Sequence, residues 1–154
     1  MVGVAERVPR NIAQLVYLDA FIPDHGQSAF DLMPGLEPDF VRAMRSAGSE
    51  YLVPSMSPQD FGVTEKADIE WMRSLMTPMP ILTHREKVDA PQRKAFKIPS
   101  AYIHCLQFGL GAGFAPQARR NGWQVIEVDA GHDIMLTSPK FLADLLEQVT
   151  QVKA

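Results

Sequence analysis

The stretch from Ala101 to Val152 alternates strand and helix, and few architectures accept that order. Ala101 to Leu106 reads as a strand, Pro116 to Arg120 as a short helix and Trp123 to Val128 as a second strand. Pro139 to Val152 reads as a helix with Phe141, Leu142, Leu145, Leu146, Val149 and Val152 on one face. Ser138 suits its N-cap and Pro139 its first helical position. Strand–helix–strand–helix implies parallel strands joined by right-handed crossovers, an α/β fold. Upstream, Leu15-Val16-Tyr17-Leu18 is apolar at every position, as expected of a strand with both faces covered. The expected architecture is therefore a mostly parallel sheet of about three strands with flanking helices. Such a sheet leaves two edges open, and Leu15–Leu18 reads as a strand made to lie inside a larger one. The chain thus reads as part of a domain whose missing strands lie on the amino-terminal side. Taken alone, it is expected to be marginally stable or to self-associate through the exposed strand edge.

Residues 24–91 have a different composition. They hold six of the eight methionines and seven of the twelve prolines. Helical patches run over Ser28 to Met33, Pro38 to Ala47 and Thr64 to Met76, the last with Ile69, Met72 and Leu75 or Met76 at helical spacing. No convincing strand is visible there. Short helices interrupted by proline and rich in flexible methionine suit a helical cap over a pocket. They also suit plain filling of core gaps, and both readings stand. Val2 to Val8 reads as the end of a helix, stopped before Pro9.

Bulk properties narrow the function classes. A chain of 154 residues can form one domain, here 1–154, with the cap at 24–91 and a carboxy-terminal part at 98–154. Hydrophobic content of 46% and charged content of 21% are ordinary for a globular protein. A net charge of −3 argues against nucleic acid or an anionic membrane as partner. No apolar run approaches the roughly 20 residues that span a bilayer. The first residues lack the basic-then-apolar pattern of a signal peptide. The single cysteine, Cys105, excludes an internal disulfide and fits a reducing, cytoplasmic setting. The partner expected on these grounds is a small-molecule substrate.

Chemistry concentrates at Gly131-His132-Asp133. This triplet lies just after the Val125–Val128 strand and just before the last helix. A histidine on such a loop is held by rigid structure yet open to a cleft, where catalytic groups of α/β folds tend to lie. No Gly-x-Ser-x-Gly occurs in the sequence, so a hydrolase-type base has no evident nucleophile here. Two stretches carry a resemblance: Leu15-Val-Tyr-Leu-Asp-Ala-Phe-Ile-Pro-Asp-His-Gly-Gln-Ser28 and Asp129-Ala-Gly-His-Asp-Ile-Met-Leu-Thr-Ser-Pro139. With them the chain resembles the carboxy-terminal part of an α/β-hydrolase, in the small esterase and hydroxynitrile-lyase branch. The resemblance implies that His132 is the base that takes a serine proton and returns it to the leaving group. It places the serine turn, and part of the oxyanion hole, upstream of Met1.

The family's usual aspartate, shortly after the strand matching Ala101–Leu106, is absent: Leu106-Gln107-Phe108-Gly109 stands there. Asp19, after the Leu15–Leu18 strand, is the best substitute as orienting acid. Its alternative role is to cap a turn before Pro23. Asp133 is expected to bond nearby amides or favour the following helix start rather than serve as triad acid. Lyases of this branch commonly carry a lysine after the histidine, and Asp133 has the opposite charge, which favours ester hydrolysis. Neither cofactor nor metal is implied.

The remaining signals are weaker. Gly109-Leu-Gly-Ala-Gly113 lacks the third glycine of a dinucleotide fingerprint, since Phe114 occupies that place, and reads as a flexible loop. His25, His84 and His104 form no metal-ligand spacing. His84 reads as solvated surface, His104 as a satisfied core or edge group, and Cys105 as a small buried apolar residue. Trp71 and Met72 fit a pocket wall or ordinary packing. The expected activity is hydrolysis of a small, fairly apolar ester or related carbonyl compound by the complete catalytic set. The rival is a non-catalytic, truncated hydrolase that binds a ligand or partner.

Overall fold

In the computed structural model, residues 2–92 and 96–150 are described, without the side chains of Leu110 and Gly111. In chain order the elements are α1 (Val2–Arg7), β1 (Leu15–Leu18), α2 (Ala29–Leu32), α3 (Leu36–Ser46), β2 (Leu52–Val53), α4 (Lys66–Leu75), β3 (Met79–Pro80), α5 (Leu82–Arg85), β4 (Ser100–Cys105), α6 (Phe114–Arg120), β5 (Gln124–Val128), α7 (Ile134–Thr137) and α8 (Pro139–Thr150). Short 3₁₀ turns cover Pro9–Asn11, Pro58–Phe61 and Gly109–Gly113. The chain divides into two compact units. One holds the residues up to Ile12 with Pro23–Met56 and Leu75–Lys97; the other holds Ala13–Ile22, Ser57–Ser74 and the residues from Ile98 onward. Residues 57–74, inside the stretch read as a cap, thus cluster with the sheet.

The sheet unit is α/β, with three parallel strands in the order β1-β4-β5. β4 is central, and Ala101, Ile103 and Cys105 on one of its faces are fully buried. They join Val128, Ile134, Leu142, Leu145 and Val149 in one core, with Val16, Leu18 and Leu146 packed against it. This explains α8: its 3.6-residue period brings Leu142, Leu145 and Val149 to one side. Phe141, expected on that face, is 52% exposed, because it falls off the stripe that meets β4. Val152 lies outside the described residues. The opposite side of β4 carries Tyr102 and His104, and Tyr17 of β1 stacks on Trp123 at 4.9 Å between ring centroids. Among the described residues β1 pairs only with β4, so it is an edge strand here.

The other unit has its own core of Phe30, Met44, Val53 and Ile81, with Leu36, Phe40, Val41 and Met79 against it. Ser28 starts α2 through a reciprocal capping box with Asp31. These hydrogen bonds from Ser28 hold the Asp31 carboxyl below its ordinary value. Two corrections belong to this region. The expected absence of strands is overturned by β2 and β3, a two-residue antiparallel pair too short to show alternation. His84 is half-buried rather than solvated, with its ring 5.1 Å from Phe40 and 5.6 Å from Phe30, and desolvation lowers its pKa. Among the described residues no helix is long and apolar enough to cross a membrane.

The core assignment is testable by contrast. Ile103→Val should destabilise the protein by about 0.5–1.5 kcal/mol through the methylene it removes from a close-packed site. Leu106→Ser, one residue past β4 and 51% exposed, should stay within about 0.5 kcal/mol of wild type. Urea unfolding followed by tryptophan fluorescence reads both, and equal effects would contradict the packing described.

Candidate active site

The carboxyl ends of β1, β4 and β5 converge on one carboxylate. Asp19 directly follows β1, and its side chain is wholly buried. Its backbone has a φ of 44°, the left-handed region that aspartate tolerates better than most residues. In that conformation its N–H donates to the carbonyl of Ile103 at 2.7 Å. Its Oδ1 accepts from the Cys105 N–H at 3.3 Å, at the end of β4. Its Oδ2 lies 2.9 Å from Nδ1 of His132, on the loop after β5. A carboxylate oxygen accepts, so Nδ1 is the donor in this contact. Among the described residues Nε2 makes no hydrogen bond, and the His132 side chain is 30% exposed.

Burial, and secondarily the negative charge of Asp19, pushes the Cys105 thiol up to about 11. Burial first, then the charges of Asp19 and Cys105, raise Tyr102, whose hydroxyl donates to the Ala20 carbonyl at 3.1 Å. Cys105 is thus an inert thiol, buried as expected.

The histidine loop is fixed from a second side. Gly131 is buried against Gly62, and the Asp133 N–H donates to the Phe61 carbonyl at 3.1 Å. Two rings flank the imidazole, Phe108 at 4.5 Å and Phe61 at 5.7 Å between centroids. Sequence reasoning did not single out either phenylalanine. Phe108 stands where the family's usual acid was sought. Phe61 follows a Ser57-Pro58-Gln59-Asp60 capping pattern that marks a turn but not what the turn touches.

Several expectations need correction here. The Asp133 side chain makes no capping hydrogen bond; only its backbone carbonyl engages α7, accepting from Leu136 and Thr137. Desolvation outweighs the nearby His132 and raises the Asp133 carboxyl. Gly109–Gly113, read as a flexible loop, forms a 3₁₀ turn that runs into α6. His104 is buried, but its Nδ1 has no hydrogen-bond partner among the described residues, so it is not a satisfied group. Trp71 is 56% exposed and buries too little of its ring to count as core. His25 belongs to the other unit, where its Nδ1 accepts from the Ala90 N–H at 3.1 Å.

No family model matches the chain. A carbendazim hydrolyzing esterase from Nocardioides sp. (strain SG-4G) is 30% identical, over 94% of this chain and 64% of its own length. An extracellular α/β-hydrolase from a Paenibacillus species, described as sharing structural and functional homology with tobacco salicylic acid binding protein 2, superposes with a TM-score of 0.78. It is 26% identical, and the match covers 95% of this chain and 65% of that one. A polyneuridine aldehyde esterase gives a TM-score of 0.65 at 19% identity, over 96% of this chain and 66% of the other. The chain belongs to the α/β-hydrolase superfamily. It spans 64–66% of the length of these relatives.

The raised Asp133 carboxyl sets a sign for pH dependence. The folded state binds this proton more tightly than the unfolded one, so ionisation at neutral pH works against folding. The stabilisation is complete below the unfolded pKa and is lost as pH rises through the folded one. Asp133→Asn should therefore be more stable than wild type at pH 7, and the gap should close as the pH is lowered toward 4. Urea midpoints across that range decide it; a less stable variant at pH 7 would contradict the desolvation.

Proposed function

We propose that His132 is the general base of a serine-type ester hydrolase and that Asp19 orients it. The observation that carries this reading is the 2.9 Å contact between a wholly buried carboxylate and Nδ1 of a part-exposed imidazole whose Nε2 is unbonded among the described residues. A fixed tautomer with an accessible Nε2 is what a base needs to take a hydroxyl proton and deliver it to a leaving group. The charge of Asp19 would stabilise the imidazolium formed on the way. The sequence contains no Gly-x-Ser-x-Gly, so the attacking hydroxyl and its oxyanion amides must come from outside these 154 residues. The aromatic surfaces of Phe61 and Phe108 beside the base favour a small, fairly apolar ester or related carbonyl substrate. Carbendazim, named for the Nocardioides relative, is a substrate to assay. We assign residues 24–91 the role of a helical cap.

The missing nucleophile favours a second reading, a non-catalytic hydrolase relative that binds a ligand. One set of assays separates the two. The purified 154-residue chain should hydrolyse neither p-nitrophenyl butyrate nor carbendazim above a His132→Ala control. If the coding DNA upstream of Met1 reads in frame into a Gly-x-Ser-x-Gly turn, the longer protein should be active. In it, Asp19→Asn should lower kcat by about 10⁴-fold, as loss of the orienting acid does in a serine triad. A stop codon immediately upstream supports the binding reading. Histidine-dependent turnover by the short chain, or full activity of the longer His132→Ala protein, would overturn the assignment.

A further inference from the structure

We infer that the turn from Ser57 to Val63 is a positioning element for the base. It is a prefolded seat that fixes where the His132 loop lies, and the inference rests on the reading of His132 given above. The turn is locked by its own hydrogen bonds. The Ser57 N–H donates to Asp60 Oδ2 at 3.0 Å, and the Ser57 side chain accepts from the Asp60 backbone, closing a capping box. The Gly62 N–H donates to the Gln59 carbonyl at 3.0 Å, and that of Val63 to the Pro58 carbonyl at 3.2 Å. Pro58 and Val63, at either end, are fully buried and anchor it. Gly62 closes the turn with a φ of 87°, which lets its backbone face outward with no side chain in the way.

Against that bare backbone lies Gly131. A Cβ on Gly131 would fall 2.7 Å from the Gly62 Cα and 2.8 Å from the Phe61 carbonyl oxygen. Both are backbone atoms that cannot swing aside. The residue preceding the base is therefore pressed onto the turn, and the residue following it, Asp133, is hydrogen-bonded to that same Phe61 carbonyl. His132 is held between these two contacts. The Phe61 ring then borders the imidazole itself, with Phe108 on its other neighbour contact. Asp19 grips Nδ1; the turn determines where the backbone beneath it sits. Displacements of about 1 Å are enough to impair a catalytic group by orders of magnitude, so such a seat has a function beyond stability.

Gly131→Ala is the clean probe, because Gly131 lacks a positive φ and only the opposing turn resists the methyl group. The readout is ¹H–¹⁵N NMR of the protein labelled at histidine nitrogen, which needs no turnover. Wild type should show a slowly exchanging Nδ1–H signal that disappears in Asp19→Ala and in His132→Ala. Gly131→Ala should lose that signal while circular dichroism and the resonances of His25, His84 and His104 stay in place. Retention of the signal at wild-type intensity would overturn the inference. If Gly131→Ala does not fold, Asp60→Ala decides: it removes the Ser57 N–H to Oδ2 bond that locks the turn and leaves both rings in place, and faster exchange of the Nδ1–H supports the seat, whereas unchanged exchange defeats it. Absence of an Asp19-dependent signal in wild type itself would instead defeat the assignment of His132 as an oriented base.

Discussion

One buried carboxylate ties together the carboxyl ends of three strands. Asp19 leaves β1, bonds the backbone at the end of β4 through its amide and Oδ1, and reaches the loop after β5 through Oδ2. An ionised group with no exposed side-chain surface is tolerable only if its lone pairs are matched. Here they are met by a backbone N–H and an imidazole N–H. The left-handed backbone at Asp19 follows from the same demand, since it turns the chain so that one residue can serve both neighbours. This strain sits at the site and is sustained by the pairing around it.

The rest of the site is arranged around that anchor. The parallel sheet delivers its strand ends to a common edge, the general reason that α/β folds place chemistry there. α8 and the face of β4 bearing Ala101, Ile103 and Cys105 supply the rigidity beneath. The Ser57–Val63 turn supplies a second wall, close enough that only glycine fits at residues 62 and 131. Asp133 is a partly buried carboxyl next to His132, and its desolvation raises its pKa.

Much of this architecture was readable along the chain because its signals are local. The apolar run Leu15–Leu18, the alternation of strand and helix after residue 98, and the loop histidine all express short-range rules of burial and turn chemistry. Asp19 was placed at the sheet's carboxyl edge by its position after a strand, and the geometry brings it to His132. Where reading failed, the deciding contact was remote. β2 and β3 pair over two residues and leave no periodic trace. His84 lies among charged neighbours in sequence but against the rings of Phe30 and Phe40 in space. His104 is a polar side chain on a strand whose packing leaves one nitrogen unmatched.

The sequence by itself determined the α/β class and the succession of strands and helices along the chain, because each depends on side-chain chemistry within a few neighbours. Tertiary structure alone decided that Asp19 and His132, 113 residues apart, share a hydrogen bond, that the rings of Phe61 and Phe108 border that imidazole, and that Gly62 lies against Gly131. The physical reason is that a hydrogen bond or a close backbone approach is settled to within tenths of an ångström by how elements pack, and residue spacing in the chain carries no such distance.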